Sequence, residues 1–374
     1  MVGAKLGPPP RFSHLLRMAT SFPIIDGHND TLTQIRNARG EDARSFLMRS
    51  DKGHIDLSRA QEGGLAGGFF AVFTASPDYE RVFQPLCDDH GNVIPGGRSV
   101  PLPPRLRRET ALRYTLSVMS DLFRLEEEAD GAVKVVRTVS DLRACVAEGV
   151  LAMILHIEGV ECLDTRLETL DVLCAAGLRS LGIVWSRPNA FGHGVPFDFP
   201  RSPDTGKGLT AAGRRLVQTC NRLGILVDLS HLNEAGFWDV AGISEAPLVC
   251  THSGMHALSP SPRNLTDAQL DAVRDSGGVV GINFHVGFLR EDGDAEAPTS
   301  LVKIAEHARY AADRMGVEHV ALGSDFDGAT MPGDLGDVTG LPRLVDALRQ
   351  HGFVDDDLRK ITHENWIRVL SETW

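Results

Sequence analysis

The chain has 374 residues, 42% hydrophobic and 24% charged, which is enough apolar material for one large barrel-type domain or two of average size. Its 38 Lys and Arg against 50 Asp and Glu give a formal net charge of −12, and nucleic acids and anionic membranes recruit basic surfaces instead. Mean hydropathy is −0.10 and there is no apolar run of about 18 residues, so no transmembrane helix is expected.

At the N-terminus, MVGAKLGPPPRFSHLLRMATSFPIID lacks the apolar stretch and small-residue cleavage site of a signal peptide, and residues 1–21 are expected to be a tail. Apolar, β-rich runs then follow at Phe22–Asp26, Leu65–Phe73, Leu151–Ile157, Leu178–Trp185, Ile225–Leu229, Pro247–Thr251, Gly278–Phe284 and His319–Gly323. Between them the spacing predicts helices over Ala111–Glu127, Leu167–Ala176, Leu209–Leu223, Glu234–Val240, Asp267–Ser276 and Leu301–Met315. Gly177, Gly224, Gly277 and Gly316 stand where helices stop, and Thr266 with Gln269 three residues on forms a capping box. Strands alternating with helices in this way predict an α/β fold, a TIM-like (β/α)8 barrel occupying residues 22–374. A nucleotide-binding sheet is disfavoured, because no G-x-G-x-x-G follows the first strand and no G-x-x-x-x-G-K-[ST] occurs.

One irregularity interrupts the alternation. Residues Ser76–Arg105 are rich in Pro and Gly and follow a strand's C-terminal end, where an insertion can act as a lid or be a plain surface excursion. The last two helices, Leu344–Gln350 and Asp356–Glu372, are expected to close the barrel from outside. The C-terminus has no apolar tail of the kind a lipid anchor requires. Six widely spaced cysteines without a C-x-x-C read as reduced, mostly buried thiols of a cytoplasmic protein.

The polar residues fall in a pattern. Strand ends run out into Asp26-Gly27-His28-Asn29-Asp30, His156-Ile157-Glu158-Gly159, Asp228-Leu229-Ser230-His231, Thr251-His252-Ser253-Gly254 and Gly323-Ser324-Asp325-Phe326-Asp327. A barrel carries its chemistry at that rim. His28 and Asp30, two apart, project to one face. Any one such histidine is more often a satisfied polar residue than a ligand, but burying all these groups together without a metal would be costly. Imidazole and carboxylate without thiolate suit Zn²⁺ or a similar divalent ion, and a bridging carboxylate would let the set hold two.

IIDGHND, DLSH, THSG, SPRNLTD and GSDFDG, in this order, resemble the signatures of the membrane dipeptidase (renal dipeptidase) family, metallopeptidases on an amidohydrolase-like barrel, from about Pro23 to the C-terminus. The resemblance implies a binuclear zinc site at the C-terminal ends of the strands. His28 and Asp30 would hold one Zn²⁺, His231 and His252 the other, and Glu158 would bridge them. It implies hydrolysis of dipeptides by a metal-bridging hydroxide, with Asp325 taking a proton from the attacking water and passing it to the leaving amine. Arg263 would meet the substrate's carboxylate, with Asn264 and Trp185 also on the substrate side.

Trp185 stands where mammalian members have a substrate-contacting histidine, leaving the metals or a neighbour such as His193 or Asn189 to support the tetrahedral intermediate. His285 stands near a tyrosine-rich place of those enzymes and is read as an outer residue, as is His156. The secretion, disulfide linkage and lipid anchor of the mammalian members are not expected here, and a homodimer is expected from the resemblance alone. Two rival readings remain. One is a metal-dependent amidase, lactonase or β-lactam hydrolase on the same site. The other is a non-catalytic barrel, which the full set of competent residues disfavours.

Overall fold

The computed structural model describes residues 22–374 apart from 77–78, 80–81 and 88–89; the expected tail over 1–21 lies outside the described residues. Eight parallel strands form the barrel: β1 (Ile24–Asn29), β2 (Leu65–Phe73), β3 (Leu151–Glu158), β4 (Ser180–Gly182), β5 (Leu226–Asp228), β6 (Val249–Ser253), β7 (Val279–Ile282) and β8 (Val320–Leu322). They run in the order β2-β1-β8-β7-β6-β5-β4-β3. The ring closes where β2 pairs with β3, from Gly67 opposite Ala152 to Phe73 opposite Glu158. All eight lie within or overlap the expected runs, and Gly177, Gly224, Gly277 and Gly316 all take positive φ at helix ends. The capping box at Thr266 and Gln269 is present.

Period-two alternation divides the strand side chains between two environments. Ile25, Phe69, Ala152, Ile154, Leu226, Val249, Val279 and Ala321, all toward the strand starts, form an interior cluster. Ile24, Phe70, Met153, Leu155, Val280 and Leu322 belong to the larger cluster shared with the helices. The C-terminal helix Asn365–Thr373 corrects an expectation. It does not cover the barrel from outside: Trp366, Val369 and Leu370 join the interior cluster and plug the N-terminal end. Trp366 Nε1 donates to the Leu322 carbonyl at 3.1 Å. Only glycine fits at 281, where a Cβ would lie 2.0 Å from the Thr251 carbonyl oxygen and 3.1 Å from the Trp366 ring.

Four helices went unread in the sequence: Thr31–Asn37, Leu57–Gly63, the single turn Val286–Leu289 and Val139–Glu148. The last buries only Leu142 and Cys145, too few for a clear apolar stripe. Within the 76–105 segment, Gln84–Cys87 and Val93–Ser99 pair as an antiparallel hairpin. It joins the rim loop after β4: Arg98 and Phe199 exchange two 2.7 Å backbone bonds, and Asp198 accepts from Val100 N and Ser99 Oγ at 2.9 Å. Among the described residues all six cysteines are free, and no helix is long and apolar enough to cross a membrane.

His307, on the helix Val302–Met315, ties two rim loops together. Its Nδ1 accepts from Met255 N at 3.0 Å, so Nε2 carries the proton and donates to the Leu289 carbonyl at 3.1 Å. Burial lowers its pKa from 6.5 to about 4, although the Leu289 bond and Glu306 work against it. As pH falls the unfolded chain therefore takes up this proton first. The stability His307 contributes is complete above pH 6.5 and is lost toward pH 4, by about 3 kcal/mol. Urea unfolding of a His307→Gln variant should show a flatter profile across that window than the native chain; parallel profiles would refute the assignment.

Candidate metal centre

Five strand ends deliver the site. β1 carries His28 and leads into Asp30, β3 ends on Glu158, β5 leads into His231, β6 carries His252, and the turn after β8 supplies Asp325. All six expected residues converge, each 9% exposed or less. Glu158 Oε1 lies at the middle, 2.9 Å from His231 Nε2, 3.5 Å from His252 Nε2 and 3.6 Å from His28 Nε2. Asp30 Oδ2 is 3.6 Å from His28 Nε2. Glu158, His231 and His252 thus lie close enough together to hold a metal ion, as do His28, Asp30 and Asp325. The His28 and His252 rings stack at 3.8 Å.

The electrostatics are those of a cation site. Burial pushes the Glu158 carboxyl well above its ordinary range, with Asp30 and Asp325 adding to the rise, and burial likewise raises Asp30. Burial alone would lower the His28 imidazole. The carboxylates of Glu158, Asp30 and Asp325 outweigh it and lift the pKa to about 10, the mark of a position that stabilises positive charge. His252 is driven well below 6.5 by burial and the neighbouring positive groups, which keeps its nitrogen lone pair available. Both nitrogens of His28 and Asp30 Oδ1 are buried without a hydrogen-bond partner among the described residues. Buried polar atoms left this way ordinarily carry a large penalty. The donor set, imidazole and carboxylate oxygen only, fits divalent cations of the zinc type.

A surrounding layer orients these side chains, and several of its members escaped the sequence reading. Ser186 Oγ meets His231 Nδ1 at 2.9 Å and Thr251 Oγ1 meets His252 Nδ1 at 2.8 Å, leaving each Nε2 directed at Glu158. Asp228 accepts from Ser230 Oγ and Thr251 Oγ1, both at 2.6 Å, and from Thr251 N at 2.8 Å. It also forms a third possible ligand group with His28 and His252. Asp228 stands in the quoted DLSH motif, so strand-end position was its signal. Asn283, just past β7, donates to Asp325 Oδ2 at 3.0 Å, and a polar residue at a strand end was the signal there too. His156 occupies the outer position expected of it, with Nδ1 2.9 Å from Ser180 Oγ and burial lowering its pKa to about 3.

The turn after β8 is tightly constrained. Asp325 and Asp327 adopt φ of 63° and 65°, uncommon for residues other than glycine. A Cβ at Gly328 would fall 2.1 Å from Asp30 Oδ2 and 2.6 Å from Asp325 Oδ1.

Above the cluster opens a cavity of about 630 Å³. Trp185 lines it together with Phe73, Phe197 and Phe288. Its ring is 4.8 Å from Phe73, 5.5 Å from Phe197 and 6.0 Å from His231. Thr33, His54, Asp327 and Thr330 complete the lining, with Thr33 Oγ1 accepting from Phe73 N at 3.1 Å, and His285 also reaches the wall. Arg263 is buried beside the cluster, behind the residues that line the cavity and not among them. Its guanidinium donates to the Ser230 and His252 carbonyls and sits 5.3 Å from the Phe288 ring centre. Its Nε has no hydrogen-bond partner among the described residues.

Asn264 is placed behind the wall, where its amide holds the Gly254 N–H and the Ser259 and Phe288 carbonyls. Asn189 and His193 do not reach the cavity lining. The Asn189 amide is bonded to Ile183, Phe191 and Gly192, and His193 Nδ1 lies 3.1 Å from the Gly208 carbonyl, so the geometry gives neither a place at a reacting carbonyl.

Known proteins resemble this chain over most of its length. A family model described as membrane dipeptidase, peptidase family M19, matches residues 13–373. The crystal structure of a metallopeptidase from Rhodobacter sphaeroides, liganded with a phosphinate mimic of the dipeptide L-Ala-D-Ala, is 47% identical with a TM-score of 0.86, covering 94% of this chain and 99% of that one. The structure of dipeptidase AC, a metallopeptidase of the same family, is 48% identical with a TM-score of 0.86 over 95% and 99% of the two chains. Dipeptidase verJ of Clonostachys rogersoniana is 29% identical over 360 residues, 96% of this chain and 86% of that protein. The chain belongs to the membrane dipeptidase family, peptidase family M19, and is a metal-dependent dipeptidase.

Proposed function

We propose that the protein hydrolyses the peptide bond of dipeptides with two zinc ions, one held by His28 and Asp30, the other by His231 and His252, and both by Glu158. The observation that carries this reading is the buried convergence of these five residues with Asp325 under a cavity of about 630 Å³, with both His28 nitrogens left without hydrogen-bond partners among the described residues. Bound there, the cations supply Lewis acidity toward the peptide carbonyl and make water acidic near neutral pH.

The chain's own groups do the rest. Asp325 removes a proton from the attacking water and delivers it to the amine nitrogen as the C–N bond breaks, while Asn283 holds Oδ2 and leaves Oδ1 for the transfer. Arg263, with its unpartnered Nε, is assigned to the substrate's carboxylate. Trp185 packs against a substrate side chain with Phe73, Phe197 and Phe288, and Asn264 acts through the loop it braces. The paired strands Gln84–Cys87 and Val93–Ser99, joined to Asp198 and Phe199 beside Phe197, are assigned as the cover of that aromatic wall.

A stereochemically diverse dipeptide panel tests the reading, run on native, chelated and zinc-restored protein beside amides, lactones and β-lactams. Chelation should abolish dipeptide turnover and zinc should restore it. Metal-dependent turnover confined to the other substrates would move the function to an amidase, lactonase or β-lactam hydrolase.

A further inference from the structure

We infer that His54 is a substrate-binding residue, donating from Nε2 to a carbonyl or carboxylate oxygen of the dipeptide in the cavity above the cluster. The assignment rests on the dipeptidase reading and adds a group that the resemblance did not supply.

His54 lies on the loop between the helices Thr31–Asn37 and Leu57–Gly63 and is one of the residues lining the cavity, bordering also a neighbouring surface pocket with Arg59 and Asp337. Asp327 fastens that loop to the rim. Its carboxylate accepts from His54 N at 2.6 Å, from Thr31 Oγ1 at 2.7 Å and from Arg44 Nη2 at 3.0 Å. The adjoining Gly53 has φ of 60°, and a Cβ there would fall 2.3 Å from Arg44 Nη2 and 2.7 Å from Asp327 Oδ1. The loop is therefore held in one place, and the ring with it.

The same contact sets the chemistry of the ring. Asp327 N donates to His54 Nδ1 at 2.8 Å, so Nδ1 is an acceptor and the proton resides on Nε2. Protonating Nδ1 would break that bond, so the ring is kept neutral. A neutral imidazole with its N–H at the far tip can donate to a substrate oxygen and cannot accept from a substrate ammonium. The Asp327 carboxylate beside it is already occupied by three donors. His54 is thus a preorganised donor on the side of the cavity where β1 and β8 also place Asp30 and Asp325.

Two substitutions separate substrate contact from support of the loop. In His54→Gln the amide nitrogen can take the place of Nε2 and the Nδ1 acceptor is lost; in His54→Asn the side-chain oxygen can take the place of Nδ1 and the outer donor is lost. Steady-state kinetics on a dipeptide, and calorimetric binding of a phosphinate dipeptide mimic to zinc-loaded protein, are measured for both and for His54→Ala. The expected result is that Gln stays within about threefold of native, whereas Asn and Ala lose about tenfold in kcat/KM and in affinity for the mimic, with metal content and Tm unchanged. Any pattern in which Gln is no better than Asn overturns the assignment, including losses that follow lowered Tm or missing metal. A native protein that neither cleaves dipeptides nor binds the mimic would refute the dipeptidase reading itself and this assignment with it. A native protein that does both, with all three variants within threefold, would refute His54 alone.

Discussion

Replacing Asp325 by Asn is expected to lower kcat on dipeptides by about 10²–10⁴-fold while zinc content and fold stay native. The substitution keeps the shape and the contact with Asn283, whose Nδ2 lies 3.0 Å from Asp325 Oδ2. What it removes is the ability to take up a proton. Asp325 also sits at φ of 63°, a conformation Asn tolerates better than most residues, so the backbone should accept the change. Steady-state kinetics, metal analysis and thermal unfolding on one preparation decide the matter. A variant that binds metal and turns over within tenfold of native would remove Asp325 from the proton-transfer role. Lost zinc would instead make it a ligand, consistent with its grouping beside His28 and Asp30.

Arg187→Met should destabilise the fold by about 3–5 kcal/mol, because it removes one partner of a fully buried ion pair. Arg187 is 0% exposed. Its Nε donates to Glu161 Oε1 at 2.9 Å, Nη1 to Ser76 Oγ at 2.6 Å and Nη2 to the Thr74 carbonyl at 3.1 Å. The guanidinium carbon also lies 5.6 Å from the Trp185 ring centre and 5.9 Å from that of Phe73. One side chain thus ties the root of the 76–105 segment to the aromatic wall. Without it, Glu161 is left buried and unpaired, its Oε2 already lacking a hydrogen bond. The Arg187→Met, Glu161→Leu double variant should recover most of the loss, since an apolar pair can replace a buried ionic one at little cost. Urea unfolding of both measures this. A single variant within about 1 kcal/mol of native would show that Arg187 is not what holds this corner.

The barrel was legible because its cues are local. A strand's apolar run, the polar residues at its C-terminal end and the glycine stopping the previous helix all lie within a few residues, as at Gly224, Leu226–Asp228 and His231. The six residues of the metal cluster shared one such cue, the strand end, and the motifs around them carried the family resemblance.

What stayed hidden depends on distance in sequence. Trp366 reads as the apolar face of an outer helix until Gly281 and Gly27 are seen to make room for its ring inside the barrel. Arg187 meets Thr74 across 113 residues, and Asn283 meets Asp325 across 42, with no spacing to announce either. Arg263 and Asn264 stood together in SPRNLTD, yet folding gives one a place against the cluster and turns the other into the loop behind it. The ring of His54 gains its tautomer from the amide of Asp327, 273 residues away.

The central claim is a two-metal centre built from His28, Asp30, Glu158, His231 and His252. Its most direct test is metal stoichiometry by elemental analysis, with dipeptide turnover followed on the same sample as zinc is titrated into chelated protein. The account predicts about two zinc ions per chain, with activity rising as they bind. A chain that binds no metal under these conditions, or that cleaves dipeptides at full rate without any, would contradict it.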